Sequence, residues 1–281
     1  MEIIRFVDPN NKVHYGCWAE GTKAVLIEGN IYQEFAVTTR KRVVKKLLPP
    51  IVPPAVFGIG LNYMPHVEET GLKAPENPVV FMKNPSSVTA HLADILIPGC
   101  CEDTPQVDYE AELAVVIGKP AKNVSESDAL DVVLGYTCAN DVSARKWQME
   151  AGGGQWIKGK SFDTFCPVGP ALVTKDAVPD PGDLTVECRL NGELMQTGRT
   201  SQMIFSVARI ISFLSQSATL LPGTLILTGT PSGVGFTREP PVFLKSGDMV
   251  QVNIPGVGEL QNGVITEAEH ADAIRERLGE L

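Results

Sequence analysis

Asp108-Tyr109-Glu110-Ala111-Glu112-Leu113-Ala114-Val115-Val116-Ile117-Gly118 decides how the rest of this chain is read. Its second half is apolar and β-branched, the composition of a β-strand. Side chains two apart on a strand point to the same face, so Glu110 and Glu112 project together, with Asp108 above them. Two carboxylates side by side repel, and one takes up a proton unless a positive charge lies between them. A divalent cation is the simplest such charge. On its own, Glu-x-Glu is more often a solvated strand edge, so the reading depends on what the rest of the chain brings to it.

The composition is that of an ordinary globular protein, with 43% hydrophobic and 20% charged residues in 281. That length leads to an expectation of one large domain or two unequal ones. A formal net charge of -9 argues against a nucleic-acid partner, which would need a basic stripe that the chain lacks. The six cysteines are scattered without C-x-x-C spacing, which speaks against a zinc site or a disulfide framework. The opening Met1-Glu2-Ile3-Ile4-Arg5-Phe6 has no signal-peptide layout, and no apolar run reaches membrane-spanning length. The expectation is a cytoplasmic protein with no membrane partner.

The chain divides, by this reading, into a small β-rich N-terminal domain with a Pro-rich linker over 1–54 and a catalytic domain over 55–281. The basic run Lys41 to Lys46 reads as a solvated helix face. Leu48-Pro49-Pro50-Ile51-Val52-Pro53-Pro54 reads as a semi-rigid linker, because its prolines remove donors and force extended backbone. Phe57-Gly58-Ile59-Gly60-Leu61 is a short buried strand. A helix of one to two turns follows, with Pro65 in its first turn and Gly71 as its C-cap. There His66 and Glu69 share a face at i, i+3, a pairing suited to general-base work because imidazole titrates near neutrality.

Asp141, Arg145 and Gln148 fall at i, i+4, i+7 and predict one helical face carrying a carboxylate, a cation and an amide. Lys160 lies among Trp156, Phe162 and Phe165, an unusual setting for a solvated ammonium. Asn191-Gly192 is a strong hairpin signal. The segment from Ser201 to Ser215 predicts an amphipathic helix capped by Thr200 or Ser201. Gly229-Thr230-Pro231-Ser232-Gly233-Val234-Gly235 reads as a turn able to offer backbone N–H groups to a carboxylate, and it lacks the Lys-Ser ending of a nucleotide-binding loop. A polar helix is expected from Thr266 to Leu281.

Three carboxylates without clustered His or Cys make a hard, oxygen-rich site, better suited to Mg²⁺ or Mn²⁺ than to Zn²⁺, with Ca²⁺ as a non-native occupant. A metal with open positions can chelate a 2-oxo acid and stabilise its enolate, while Lys160 adds positive charge to the developing oxyanion. The non-enzyme alternative is a Ca²⁺-binding β-sandwich module, which would need the carboxylates but neither Lys160 nor the His66–Glu69 pair.

From about Phe57 to Ile265 the chain closely resembles the fumarylacetoacetate hydrolase family. The resemblance is carried, in order, by Gly60-Leu61-Asn62-Tyr63 with His66 and Glu69, by Asp108-Tyr109-Glu110-Ala111-Glu112, and by Asn140-Asp141-Val142-Ser143-Ala144-Arg145. Gly159-Lys160-Ser161-Phe162-Asp163-Thr164-Phe165 and the glycine-rich stretch from Thr228 to Gly235 complete it. It implies an α+β, β-rich fold, a mixed β-sandwich roll, and a homodimer. It further implies Glu110, Glu112 and Asp141 as metal ligands, Lys160 as the electrophilic lysine, and His66 with Glu69 as a dyad on a mobile lid. Arg145, Gln148 and Thr230 fall to substrate binding. The first expectation for the reaction is C–C hydrolysis of an acylpyruvate-type 2-oxo acid. Behind it stand oxaloacetate decarboxylation, oxaloacetate keto–enol tautomerisation, and isomerisation of 2-hydroxyhepta-2,4-diene-1,7-dioate.

Overall fold

Every residue of the strand Ala111–Ile117 is buried, because the sheet that contains it has a core on each face. Leu113, Val115 and Ile117 enter the larger core, while Ala114 and Val116 enter a second core with Leu225 and Leu227. Alternation therefore puts Glu112 on the face of the second core. The computed structural model describes residues 1–279.

The strand belongs to a 12-stranded mixed sheet. From one edge the order is Phe35–Val43, Lys23–Gly29, Val13–Trp18, Glu2–Val7 and Cys166–Thr174. It continues through Val133–Asn140, Ala111–Ile117, Leu225–Leu227, Val56–Gly60 and Val79–Lys83, with Lys46–Leu48 and Val88–Ala90 paired alongside. Glu2 pairs with Val173 and Ile3 with Leu172, so the N-terminal strands continue the same hydrogen-bonded sheet. A five-stranded sheet built from Glu193–Arg199, Thr185–Leu190, Met249–Ile254, Gly258–Thr266 and Ile95–Ile97 covers the larger core. Val186, Cys188, Val252 and Ile254 meet Leu113, Val115, Tyr136 and Cys138 there. The layering is a β-rich mixed sandwich roll, as the resemblance implied.

Helices are short: α1 (Met64–Thr70), α2 (Arg145–Met149), α3 (Ile157–Lys160), α4 (Val207–Leu214) and α5 (Glu267–Leu278). No helix among the described residues is long and apolar enough to cross a membrane. The terminal helix follows expectation as far as Leu278, and Glu280 and Leu281 lie outside the described residues. Asn191 (φ 53°) and Gly192 (φ 85°) turn the expected hairpin in the left-handed region that such two-residue loops require.

Several local expectations differ from the fold. The basic run is not helical, because its residues are claimed by strands: Lys41 and Val43 pair with Val25 and Lys23, and Leu47 pairs with Phe6. Ile51 is fully buried in the second core, so the proline stretch is packed rather than spanning a gap. Helix α4 begins only at Val207, capped by Ser206, whose hydroxyl accepts from the Arg209 N–H. Residues 200–202 form a 3₁₀ turn instead, since Thr200 Oγ1 accepts from Leu184 N–H and Gln202 Oε1 from Arg199 N–H.

The glycines of Val56–Gly60 are explained by what crosses over them. Phe81 pairs with Gly58 across the sheet, and a Cβ on Gly58 would lie 2.2 Å from the Phe81 ring. A Cβ on Gly60 would lie 2.4 Å from the Trp156 ring. The absence of two side chains thus makes room for two aromatics on the Glu112 face. Gly58→Ala should lower stability by about 1–3 kcal/mol through overpacking, measured by urea unfolding. An unchanged midpoint would show that Phe81 moves aside freely.

Candidate active site

Glu112 lies inside the strand Ala111–Ile117, whereas Glu110 sits in a break between that strand and the two-residue strand Val107–Asp108. The expected continuous strand fails there because side chains take the backbone donors. Asn140 Oδ1 accepts from Glu110 N–H at 3.0 Å and Gln196 Oε1 from Ala111 N–H at 2.9 Å. The two glutamates still converge. Asp141 reaches them because Ala111 pairs with Asn140, and Asp141 N–H donates to the Glu110 carbonyl at 2.8 Å. One carboxylate oxygen from each of Glu110, Glu112 and Asp141 lies within 4.8 Å of the others, and all three residues are buried.

The predicted single helical face does not account for Asp141. Antiparallel pairing of Asp108 with Ser143 holds that stretch extended, and α2 starts at Arg145. Arg145 and Gln148 do share the helix, with Nη1 donating to Oε1 at 3.0 Å. Asp108 is not above the glutamate pair either. It accepts from Arg145 Nε at 2.9 Å and from the N–H groups of Tyr109, Gly235 and Phe236 at 2.8, 2.8 and 3.0 Å. The glycine-rich loop does offer N–H groups to carboxylates, and these are the protein's own. Gly229 serves Glu112 at 2.6 Å and Gly233 serves Glu69 at 2.8 Å.

Cations are distributed unevenly over this cluster. Lys160 Nζ bonds Glu110 Oε2 at 2.8 Å and Asp141 Oδ2 at 2.6 Å. Arg145 Nη1 bonds Glu110 Oε1 at 2.6 Å, and Lys83 Nζ bonds Asp141 Oδ1 at 2.5 Å. Among the described residues, no cation makes a direct bond to Glu112. Burial, followed by the carboxylates of Asp141 and Glu110, pushes its carboxyl well above the usual range. Burial would also raise Glu110, but Lys160 and Arg145 more than offset it and hold it low. Burial works against the charge on Lys160, and Asp141 with Glu110 reverses that, so its ammonium is retained more firmly than usual. Three converging hard oxygen donors, one lacking a counter-charge, fit a divalent cation.

The dyad forms as expected. Helix α1 carries Pro65 in its first turn and ends on Gly71 at φ 68°. His66 Nδ1 meets Glu69 Oε1 at 2.6 Å, and Glu69 Oε2 accepts from Gly233 N–H and from Thr237 Oγ1 at 3.2 Å. With Nδ1 engaged, Nε2 is the ring nitrogen left for a reacting group. His66, Glu110, Glu112, Arg145, Gln148, Lys160 and Thr230 line one cavity of about 270 Å³, walled by Ile59, Phe81 and Trp156. Arg145 donates through Nε to Asp108 and through Nη1 to Glu110 and Gln148, and it stacks at 4.4 Å over the Phe236 ring. Its Nη2 pairs in charge with Asp108 and has no hydrogen-bond partner among the described residues. The Thr230 hydroxyl is also committed, donating to Ala111 O at 3.0 Å and accepting from Gln196 Nε2 at 2.7 Å. A larger cavity, about 790 Å³ at the edge of the five-stranded sheet, holds none of these carboxylates.

Two residues of the site had gone unassigned. Buried Asn62 donates to Phe205 O and Thr228 O at 3.0 and 2.7 Å, tying the start of α1 to the strand that leads into the glycine-rich loop. Lys83 ends an apolar strand, two residues from inward-facing Phe81, and that spacing was its only signal.

A two-sheet roll with a carboxylate–lysine–histidine cavity defines an enzyme class, and the chain's membership is direct. The family profile described as fumarylacetoacetate (FAA) hydrolase C-terminal matches residues 55–265, and the chain belongs to that family. It is 50% identical over 220 residues to a protein named oxaloacetate tautomerase fahd2, mitochondrial, of Xenopus laevis, covering 78% of this chain and 68% of that one. Among the solved structures that share its fold are two isomerases. One is a 5-carboxymethyl-2-hydroxymuconate delta-isomerase from Mycobacterium smegmatis, with TM-score 0.82, 36% identity and coverage of 95% of this chain and 100% of that chain. The other is a 2-hydroxyhepta-2,4-diene-1,7-dioate isomerase from Mycobacterium marinum, with TM-score 0.81, 37% identity and coverage of 95% and 99%.

The uncompensated Glu112 makes a thermal prediction. A carboxyl raised above its unfolded value removes stability as pH climbs from the unfolded value through the raised one. Glu112→Gln keeps an acceptor for Gly229 and removes the charge. The metal-free variant should therefore melt above the metal-free wild type at neutral pH, by about 2–4 °C for each kcal/mol relieved. Mg²⁺ or Mn²⁺ should raise the wild-type melting temperature and leave the variant's unchanged. A variant that still gains stability from the ion would remove Glu112 from the ligand set.

Proposed function

We propose that this protein is a keto–enol tautomerase of small 2-oxo acids of the oxaloacetate type, dependent on Mg²⁺ or Mn²⁺ held by Glu110, Glu112 and Asp141. The observation that carries the reading is the His66–Glu69 pair, whose His66 lines the same cavity as Lys160, Glu110 and Glu112. A 1,3-proton shift needs a base within reach of C3 and positive charge at the 2-oxo oxygen. The names of the similar proteins, a tautomerase and two isomerases, favour this reaction over the acylpyruvate hydrolysis that the motifs put first.

The bound ion would supply Lewis-acid polarisation of the 2-oxo group. The chain's own residues do the rest. His66 takes the C3 proton at Nε2 as the carbon–oxygen double bond opens, and Glu69 stabilises the imidazolium through Nδ1. The Lys160 ammonium, kept charged by its carboxylate neighbours, faces the enolate oxygen. Returning the proton to that oxygen completes the shift without breaking a C–C bond. Gln148 lies beside the substrate, while Arg145 holds Glu110 and Gln148 in place. The homodimer implied by the family is part of the same reading, and sedimentation would check it.

His66→Ala should slow enol–keto exchange of oxaloacetate, followed by ultraviolet absorbance, by about 10²–10⁴-fold. Exchange at the wild-type rate would leave the helix as a structural cover and end the tautomerase reading. Lys160→Met should cost about 10²–10³-fold in turnover, the scale of losing one oxyanion donor. Near-normal turnover would confine the lysine to neutralising Glu110 and Asp141.

A further inference from the structure

Lys83 is buried, and its side chain contributes nothing to the cavity. It comes from the edge strand Val79–Lys83, whose Val80 and Met82 face outward while Phe81 and Lys83 face in. Its Nζ makes two bonds, to Asp141 Oδ1 at 2.5 Å and to the Val142 carbonyl at 3.1 Å. Asp141 already has Lys160 on its other oxygen, Oδ2. One carboxylate therefore has two ammonium partners while Glu112, close by and equally buried, has no direct one among the described residues. A lysine serving only to balance charge would be expected beside Glu112.

We infer that Lys83 is a positioning residue, fixing the Oδ1 side of Asp141 so that Oδ2 is presented to the ligand cluster. Its second bond, to Val142 O, anchors the ammonium to the backbone next to the carboxylate it holds. The arrangement also divides the work of the two lysines. Lys160 touches both Glu110 and Asp141 and lines the cavity, so it is the one able to turn toward substrate. Lys83, outside the cavity, keeps Asp141 oriented when Lys160 does so. Losing a partner that orients a metal ligand from behind typically costs about 10–100-fold in metal affinity. This inference rests on the divalent-ion site proposed above and adds a residue to it.

Simple electrostatics and positioning give opposite signs. Removing a positive charge near the ligands would tighten binding of a cation, whereas losing the orientation of Asp141 would weaken it. Mg²⁺ and Mn²⁺ binding to the full chain, measured by calorimetry, separates the two. Lys83→Met should bind about 10–100-fold more weakly, and Lys83→Arg, which keeps a charged donor, within a few-fold of wild type. Equal or tighter binding by Lys83→Met, with near-ultraviolet dichroism intact, overturns the inference. If the methionine variant does not fold, Lys83→Gln, too short to reach Asp141, takes its place with the same expectation. Absence of binding by the wild type itself would instead overturn the divalent-ion site.

Discussion

Charge buried without enough water to solvate it is the constraint on which the rest of this structure depends. Asp108, Glu110, Glu112 and Asp141 are all withdrawn from solvent, and an unpaired buried carboxylate is costly. Arg145, Lys160 and Lys83 answer three of them, each by direct contact. The remaining carboxylate, Glu112, is met among the described residues by the Gly229 N–H alone. A cluster left short by one counter-charge is ready for a cation, and for chemistry in which negative charge develops on a bound substrate.

Much of the surrounding fold reads as support for that cluster. Gly235 must be glycine, since a Cβ there would sit 2.5 Å from Asp108 Oδ1 and 1.9 Å from Val242 O. The same loop reaches across to Glu69, so the segment that orients Asp108 also orients the dyad. Asn62 links the beginning of α1 to Thr228. The His66–Glu69 helix, Asp108 and Glu112 therefore share one set of anchors. On the proposed reading this shared anchoring matters, because proton transfer depends on sub-ångström placement of His66 against the substrate carbon.

The same economy explains why some expected substrate contacts are already engaged. Arg145 and Thr230 line the cavity, yet the Nε and Nη1 of Arg145 and the Thr230 hydroxyl already have protein partners. Lys160, Gln148 and His66 line the same cavity, within apolar walls formed by Ile59, Phe81 and Trp156. On the proposed reading, that cavity of about 270 Å³ would take a compact 2-oxo acid.

By itself, the sequence determined what local chemistry can encode. Alternation over Ala111 to Ile117, the helix bearing His66 and Glu69 with its Gly71 C-cap, and the Asn191-Gly192 turn all follow from periods and dihedral preferences over a few residues. The ordered motifs carried the family and its roll. Tertiary structure decided whatever depends on partners distant along the chain. Asp141 joins the glutamates through strand pairing rather than a helical face, and Asp108 leaves them for Arg145 and two loop amides. The basic run near Lys41 became a strand because a neighbouring strand needed its hydrogen bonds. Lys83 was almost invisible, since a lysine ending an apolar strand looks solvated until the sheet places Asp141 against it. Periodicity reports the face on which a side chain lies, and only the folded chain shows what that face meets.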